Sequence, residues 1–353
     1  MYNFIKSGSI ILLLILLFTA LFVTFPSCDN GPTEPEIEPG RRDYTWEVDT
    51  LDIPFTYFWR IWGSDPKNVW IVGPGGGLDR TIYYYDGEKW NNDGISRAIS
   101  PLSIWGFSKN DVWIAGYEGQ IWHYNGNDWS ESERFETTIE KEIAFIDLWG
   151  ESPDNLYAIG SSGYGEKRTA VIAKYDGINW TMKDFTQLER YSFGRIRQKN
   201  LSSNKFYLSS TKDLPLTGDL DGFFECKTDT NIVKIYEGKS SLKTGTFLQK
   251  IDGEIYFVIG NTINKYVNNS FKKIFEVTLP NFGIQIHGRT AKDIFLRMTD
   301  GIAHYNGNDF KYLYKFKSRV SFTDAVVFEK EIFVLADDLT NGVNLVFRGK
   351  LIE

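Results

Sequence analysis

A block of roughly 44 residues recurs along this chain and limits the folds that it can adopt. The clearest copies read IWGSDPKNVWIVG from Ile61, IWGFSKNDVWIAG from Ile104 and LWGESPDNLYAIG from Leu148, and a weaker copy reads IHGRTAKDIFLRM from Ile286. Similarity at a fixed period of this length indicates one supersecondary unit that is repeated in space.

Each copy predicts a four-stranded antiparallel unit. Two short runs rich in aromatic and β-branched residues flank a polar turn such as SDPKN, which is the pattern of a β-hairpin. An alternating run such as QIWHY follows, and an Asn-Gly or Asp-Gly turn with a closing aromatic residue adds the fourth strand. Four such strands per repeat are typical of a propeller blade, whereas paired helices would show a 3.6-residue period.

The spacing of equivalent residues predicts the number of blades. Trp62, Trp105 and Trp149 lie 43 and 44 residues apart, and His287 occupies the same position 138 residues after Trp149. That longer interval leaves room for two further repeats. We therefore predict an all-β fold, a β-propeller with seven four-stranded blades, and six or eight blades are the alternatives.

Two blades in the middle of the chain have diverged from the repeat. The spacing predicts them near residues 195–237 and 246–278. KFYLSS from Lys205 and EIYFVIG from Glu254 have the composition of their second strands.

The two ends of the repeat region predict how the ring closes. The last unit, from Val320, shows only three strands, while YTWEV from Tyr44 precedes the first blade and carries Trp46 where a fourth strand has its aromatic residue. An N-terminal strand that completes the last blade would remove the open sheet edges. Residues 44–353 are thus expected to form a single propeller domain.

A different kind of segment precedes the propeller. Residues 1–27 contain the apolar run IILLLILLFTALFV from Ile10, which has the length of a signal-peptide core. With Cys28 next, the segment resembles a bacterial lipoprotein signal, and this resemblance implies a lipidated Cys28. Residues 28–43 are rich in proline and acid and predict a flexible tether. An uncleaved membrane anchor is the alternative.

Either interpretation places the propeller outside the cytoplasm. The expected location is the cell envelope, at the outer membrane, the cell surface or the periplasmic side. The formal net charge of −7 argues against nucleic acid or anionic lipid as a partner, so contact with the membrane is expected through the anchor alone.

Most residues that could suggest chemistry belong to the repeat. His123 and His304 share one third-strand position and His287 replaces a first-strand tryptophan, so structural roles are predicted for all three. The repeated tryptophans are expected to pack between blades. Cys226 is expected to be a small buried residue. We predict no catalytic residue.

The stretches that do not follow the repeat are the better candidates for function. In a propeller, the loops between second and third strands lie on the same face as the connections between blades, and here these loops vary: PGGGLDRT, SSGYGEKRTA and TKDLPLTGDLDG. Variable loops on a rigid scaffold are the usual arrangement of a binding surface. The candidate ligand-binding residues are Asp79, Arg80, Tyr164, Lys167, Arg168, Asp213, Asp219 and Asp221.

One of these loops also carries a minor metal hypothesis. Asp219 and Asp221 lie one residue apart before a glycine, and Ca²⁺ prefers clustered oxygen ligands. A short acidic turn has the same sequence pattern, so calcium is the lesser interpretation and no other cofactor is predicted.

Residues 44–353 resemble bacterial propeller lipoproteins and related secreted proteins built from WG, DVW, VG, HYDG and W repeats. They are more distantly similar to sialidase-like propellers with neuraminidase repeats. The SxDxGxTW boxes of those propellers are absent, and no motif places their catalytic arginines. The resemblance implies a fold and leaves the activity open.

Two functions follow as hypotheses. The favoured one is a non-enzymatic, membrane-anchored and monomeric binding scaffold that presents one loop face to a protein or glycan. The alternative is a propeller hydrolase or lyase that acts on polysaccharide. Two acids with converging arginines in the central funnel would favour the enzyme, and a flat or apolar mouth would favour binding.

Overall fold

The computed structural model describes residues 38–353 except 54, 139–140, 200–204, 229–230, 242–243 and 318. The predicted signal segment and Cys28 lie outside the described residues. Pro39–Glu353 forms one compact unit. Within the described part of the chain, no helix has the length and apolar character needed to cross a membrane.

Each copy of the repeat forms one four-stranded antiparallel sheet, and seven sheets make up the ring, as predicted. The strand β1 (Tyr44–Leu51) precedes blade 1. Blade 1 contains β2 (Arg60–Asp65), β3 (Asn68–Val72), β4 (Ile82–Tyr85) and β5 (Trp90–Asn91). Blade 2 contains β6 (Pro101–Ser108), β7 (Asp111–Gly116), β8 (Gln120–Tyr124) and β9 (Trp129–Arg134). Blade 3 contains β10 (Ile143–Ser152), β11 (Asn155–Ser162), β12 (Thr169–Tyr175) and β13 (Trp180–Glu189).

The remaining blades follow the same order. Blade 4 contains β14 (Tyr191–Gln198), β15 (Phe206–Lys212), β16 (Leu220–Thr228) and β17 (Asn231–Lys239). Blade 5 contains β18 (Thr246–Ile251), β19 (Glu254–Ile259), β20 (Thr262–Val267) and β21 (Ser270–Glu276). Blade 6 contains β22 (Phe282–Thr290), β23 (Asp293–Met298), β24 (Gly301–Tyr305) and β25 (Phe310–Lys315). Blade 7 contains β26 (Val320–Val327), β27 (Glu331–Asp338) and β28 (Val343–Leu351), with β1 as its fourth strand.

The first strand of every blade lines the centre of the ring. Each first strand contacts the first strands of both neighbouring blades, and β26 contacts β2, which closes the circle. The predicted closure by the N-terminal strand is confirmed, because β1 pairs with β28 from Tyr44↔Leu351 to Leu51↔Asn344. The predicted second strands of the two diverged blades are confirmed as β15 and β19.

Aromatic residues of the repeat pack between blades, as expected from their spacing. The ring of Trp70 in blade 1 lies 5.1 Å from that of Tyr124 and 5.6 Å from that of Trp129, both in blade 2. The glycine of the WG motif makes room for a neighbouring tryptophan. A Cβ atom at Gly106 would lie 2.6 Å from Cη2 of Trp62 in the preceding blade.

Two of the three histidines also have structural partners. His123 Nε2 lies 2.8 Å from Asp111 Oδ1, and His304 Nε2 lies 2.7 Å from Asp293 Oδ1. Both aspartates begin a second strand, so one polar pair recurs at the same place in blades 2 and 6. Cys226 is buried, as predicted.

The last residues of the predicted tether contact the propeller, which the sequence did not indicate. The backbone N–H of Gly40 donates to the carbonyl of Lys292 at 2.8 Å. Arg42 binds Asp309 Oδ1 at 2.5 Å and donates to Nδ1 of His304 at 3.2 Å. The chain therefore enters the propeller along blade 6.

Candidate functional site

The propeller presents two faces with different turns. The turns between first and second strands and between third and fourth strands are short, and we call their side the turn face. Its Asp-Gly and Asn-Gly turns place Gly87, Gly126, Gly177 and Gly307 at φ between 95° and 97°, as the repeat predicted. The loops between second and third strands and the connections between blades form the opposite side, the loop face.

Seven of the eight candidate residues lie on loops of the loop face, and Asp221 is the second residue of β16, at the end of one such loop. Asp79 and Arg80 follow β3 in blade 1 and approach each other to 3.7 Å. Tyr164 follows β11 in blade 3, with 53% of its surface exposed. Lys167 belongs to a short 3₁₀ turn in the same loop. These four residues are available at the surface but belong to two separate blades.

The structure brings the candidates of blades 3 and 4 together around a residue that the sequence did not single out. Arg168 Nη1 lies 3.8 Å from Asp213 Oδ2. The backbone N–H of Arg190 donates to the carbonyl of Arg168 at 2.6 Å, and that of Asp213 donates to the carbonyl of Arg190 at 3.0 Å. The side chain of Arg190 also binds Glu166. Two neighbouring loops are thus tied into one charged surface.

The two carboxylates of the acidic loop in blade 4 accept hydrogen bonds from residues of the same blade. Asp219 Oδ1 accepts the backbone N–H of Leu214 at 3.1 Å, and Asp221 Oδ1 accepts the hydroxyl of Thr211 at 3.2 Å. Among the described residues, no group of three or more His, Cys, Asp or Glu side chains could hold a metal ion. Calcium at this loop stays a prediction.

A polar cluster lies in the central channel, and none of the eight candidates lines it. In each blade, one first-strand residue pairs with the second-strand aromatic, and the residue two positions earlier lies on the same strand. We call these seven earlier positions the inner ring. Its members are Arg60, Ser103, Asp147, Arg195, Phe247, Gln285 and Asp324.

Irregular strand pairing accompanies several inner-ring residues. The register shifts between Phe145 and Asp147, and an equivalent shift precedes Arg195 and Asp324. Such β-bulges re-aim side chains and recur beside functional sites. The sequence signal is Phe, any residue, then Arg or Asp, and it occurs as FWR, FID, FGR and FTD. This signal does not stand out when the repeats are aligned, because its last residue changes from blade to blade.

Three polar members of the inner ring connect their own blade to the next one. Asp147 Oδ2 accepts the backbone N–H of Ile196 at 3.1 Å, and Asp324 Oδ2 accepts that of Ile61 at 3.4 Å. Ser103 donates its hydroxyl to the carbonyl of Phe145 at 3.4 Å. Both carboxylates therefore already serve as links between blades.

Arginines balance the two buried carboxylates. Arg197 Nη1 lies 2.8 Å from Asp147 Oδ2, and Arg195 Nη2 reaches across the channel to within 3.4 Å of Asp324 Oδ1. Burial alone would raise the pKa of Asp324, but Arg195 and Arg60 hold it below its usual value. Burial lowers the pKa of Arg197, and Asp147 opposes that effect. Asp324 is therefore charged at neutral pH, and each of the two carboxylates lies within ion-pair distance of an arginine.

His287 lies next to these ion pairs but forms no hydrogen bond with Asp324. The residue is 3% exposed, and Nε2 lies 3.9 Å from Asp324 Oδ1, which is too far for a hydrogen bond. Burial lowers the pKa of His287 to about 4, and nearby arginines add to the effect. His287 is therefore neutral at physiological pH.

A cavity of about 270 Å³ lies in the channel, and inner-ring residues contribute to its lining. Its lining runs from Arg60 and Asp324 toward the turn face, where it reaches Gly63, Lys250 and Gly288. The channel thus holds two acids and converging arginines. That composition matches the condition set above for the enzymatic alternative, although both acids are engaged in ion pairs and links between blades.

The ring of seven four-stranded blades around a polar channel defines the chain as a seven-bladed β-propeller. No family model matches it, and no curated protein matches its sequence.

Solved structures with a similar fold include YCF48 bound to a D1 peptide, at 15% identity and a TM-score of 0.59 over 91% of this chain and 100% of that chain. YCF48 from Cyanidioschyzon merolae is similar at 14% identity and a TM-score of 0.57, over 85% of this chain and 98% of that one. The WD40 propeller domain of Doa1 is similar at 12% identity and a TM-score of 0.56, over 86% and 97%. At these identities, the likeness concerns the fold alone.

Proposed function

We propose that this chain is a non-enzymatic binding scaffold, anchored at the cell envelope through Cys28, that presents its loop face to a protein partner. The observation that carries this proposal is the charged surface formed by the loops of blades 3 and 4. Arg168, Arg190 and Asp213 fix these loops relative to each other by an ion pair and backbone hydrogen bonds. A preorganised surface loses less conformational entropy on binding.

The choice of a protein partner has modest support from other propellers. YCF48 has been solved with a D1 peptide, which shows that a ring of similar architecture accepts a peptide in that protein. Tyr164 adds an exposed aromatic ring next to the fixed loops, and tyrosine is enriched at protein interfaces. A glycan ligand is the other outcome of the test below.

The test compares loop-face and turn-face variants of the full-length chain. Pull-downs from envelope fractions and a glycan array are carried out with wild type, with Tyr164→Ala/Lys167→Glu, and with Lys109→Glu as the control. Lys109 is exposed on the turn face. We expect the loop-face variant to lose at least tenfold in affinity for the captured ligand and the control to bind normally. Equal binding by all three proteins would reject the loop face.

Anchoring through Cys28 is tested separately. Metabolic labelling with a fatty-acid analogue should mark the wild-type chain and should not mark Cys28→Ala, which should leave the membrane fraction. If Cys28→Ala stays in the membrane, residues 1–27 act as an uncleaved anchor.

Enzymatic action on polysaccharide is the second candidate, because Asp147 and Asp324 lie with arginines in the channel. Release of reducing ends from a panel of neutral and acidic polysaccharides would reveal it. The decisive comparison is wild type against Asp147→Asn, checked for folding by circular dichroism. Activity that disappears in the folded variant would favour the enzyme over the scaffold.

A further inference from the structure

The channel cavity has the size of a small ligand or of one end of a larger ligand. Its volume of about 270 Å³ lies just under the range of drug-sized pockets. Its lining extends from the inner ring toward the turn face, where Lys250 binds Glu151. It is therefore separate from the loop-face surface proposed above.

The charges around the cavity do not balance. Three guanidinium groups line it, from Arg60, Arg195 and Arg197, against two carboxylates, from Asp147 and Asp324. Lys250 also lines it, but its charge is paired with Glu151. Arg197 is paired with Asp147 and Arg195 with Asp324, while the hydrogen bonds of Arg60 go to the carbonyl oxygens of Trp59 and Ile146. One positive charge is left in excess, and a buried charge without a counter-charge is costly.

Four buried polar atoms of the residues that line the cavity also lack hydrogen-bond partners among the described residues. They are Nε of Arg60, Nε1 of Trp105, Nε2 of His287 and Oε1 of Gln249. Buried polar atoms nearly always have a partner in folded proteins. Two of these atoms, Arg60 Nε and Trp105 Nε1, can only donate, and beside an uncompensated guanidinium they indicate a ligand that accepts hydrogen bonds and carries negative charge.

We propose that this cavity binds a carboxylate group. A planar guanidinium matches a carboxylate by paired hydrogen bonds, and Arg60 has an unused Nε–H for this purpose. A single negative charge neutralises the excess positive charge. A phosphate dianion would overcompensate it and would face Asp147 and Asp324 at close range. This proposal does not depend on the loop-face function.

Binding is measured by isothermal titration calorimetry on the full-length chain in chloride-free buffer. The probes are acetate, propionate and benzoate, each against its neutral amide of the same shape. A second arm uses N-acetyl-Ala-Ala with a free C-terminal carboxylate against the C-terminally amidated dipeptide. Acids that bind while amides do not support the site. The affinities of the small acids and of the dipeptide acid are then compared. The tighter ligand shows whether the carboxylate comes from a small molecule or from the C-terminal end of a peptide.

Arg60→Gln is the diagnostic variant, because it removes the excess charge without depriving Asp147 or Asp324 of its paired arginine. We expect at least a tenfold loss of affinity for the acids, whereas the control Arg134→Gln, at an exposed arginine that does not line the cavity, binds as wild type. His287→Phe removes an unpartnered nitrogen and keeps an aromatic ring next to Phe322. It should weaken binding and leave the thermal midpoint unchanged or higher.

The proposal is overturned if none of the acids binds, if acids and amides bind equally, or if Arg60→Gln binds as tightly as wild type. None of these results bears on the loop-face pull-down, so the two proposals fail independently.

Discussion

The carboxylate of Asp147 in blade 3 accepts the backbone N–H of Ile196 in blade 4 at 3.1 Å. Asp324 makes the equivalent bond from blade 7 to Ile61 in blade 1 at 3.4 Å, across the point where the ring closes. A hydrogen bond from the first strand of one blade to a carboxylate of the preceding blade thus occurs at two places around the channel. Both acids contribute to holding neighbouring blades together.

Asp324→Asn should destabilise the propeller strongly. The carboxylate is buried and faces Arg195 and Arg60, so its removal leaves buried positive charge without compensation. We expect a loss of about 3–5 kcal/mol in the free energy of unfolding at pH 7, measured by urea denaturation. Glu131→Gln, which breaks the exposed ion pair with Arg134, is the control and should cost less than about 1 kcal/mol.

The low pKa of Asp324 also predicts that the stability of the propeller decreases in acid. The pKa of Asp324 is lower in the folded protein than in the unfolded chain, so its contribution is complete above about pH 4 and is lost as the pH falls through the folded-state pKa. In Asp324→Asn, the unfolding midpoint should therefore fall less steeply below pH 4. Parallel pH profiles for wild type and variant would contradict this assignment.

Asp337→Asn should stabilise the protein at alkaline pH. Burial raises the pKa of Asp337 to about 6, opposed by a hydrogen bond from Thr323, and Oδ1 has no partner among the described residues. The folded state then holds this proton more tightly than the unfolded chain, so wild-type stability declines as the pH rises from about 4 to 6. The variant avoids this penalty.

We expect Asp337→Asn to gain roughly 2 kcal/mol in the free energy of unfolding at pH 8 and nothing at pH 4, by urea denaturation. Asp128→Asn, on an exposed turn, is the matched control and should change stability by less than about 0.5 kcal/mol. A gain of the same size at both pH values would show that titration is not its cause.

Gly106→Ala should disturb the contact between blades 1 and 2. The added Cβ would lie 2.6 Å from Cη2 of Trp62 and 2.8 Å from the carbonyl oxygen of Asp111, so the tryptophan or the strand must move. We expect a loss of about 1–3 kcal/mol and a change in tryptophan fluorescence. At Gly194, the corresponding Cβ meets only the hydroxyl of Ser209 at 3.2 Å, and Gly194→Ala should cost less. Equal losses would argue against the proposed packing role.

Deleting the chain through Leu51 should open the ring. Blade 7 would lose β1, which pairs with β28 along its length and packs Trp46 5.5 Å from Tyr314. The exposed edge of β28 should then cause association, visible by size-exclusion chromatography. Deleting only residues 1–37 keeps β1 and should yield the elution volume expected for a monomer. A monomeric, cooperatively folding product of the longer deletion would contradict this role.

The repeat made the scaffold predictable from sequence. Trp62, Trp105 and Trp149 have a fixed spacing, and a fixed spacing in the chain becomes a fixed position in each blade. The same spacing located β15 and β19, although their sequences have diverged. The closing strand could be predicted because the last unit lacked one strand and YTWEV had the pattern of that strand.

The polar channel could not be found in the same way. Its residues share a position in space but not a residue type, as Arg60, Ser103 and Asp147 show. Comparison of the repeats identifies positions that keep the same residue type. A position whose residue type varies from blade to blade is therefore not recognised as functional. The charge balance among Arg60, Asp324 and Arg195 also arises across the ring, between residues that are far apart in the chain, and only the closed structure shows it.

The antiparallel pairing of β1 with β28 has a mechanical consequence. Consider tension that is applied at Asp43 along the axis of β1 and is resisted by the rest of blade 7. The hydrogen bonds from Tyr44↔Leu351 to Leu51↔Asn344 then lie across the direction of pull and share it in shear. A ladder loaded in this way must break many bonds together, whereas a peeled edge releases them one by one. The closing strand is thus placed to resist force applied through the N-terminus.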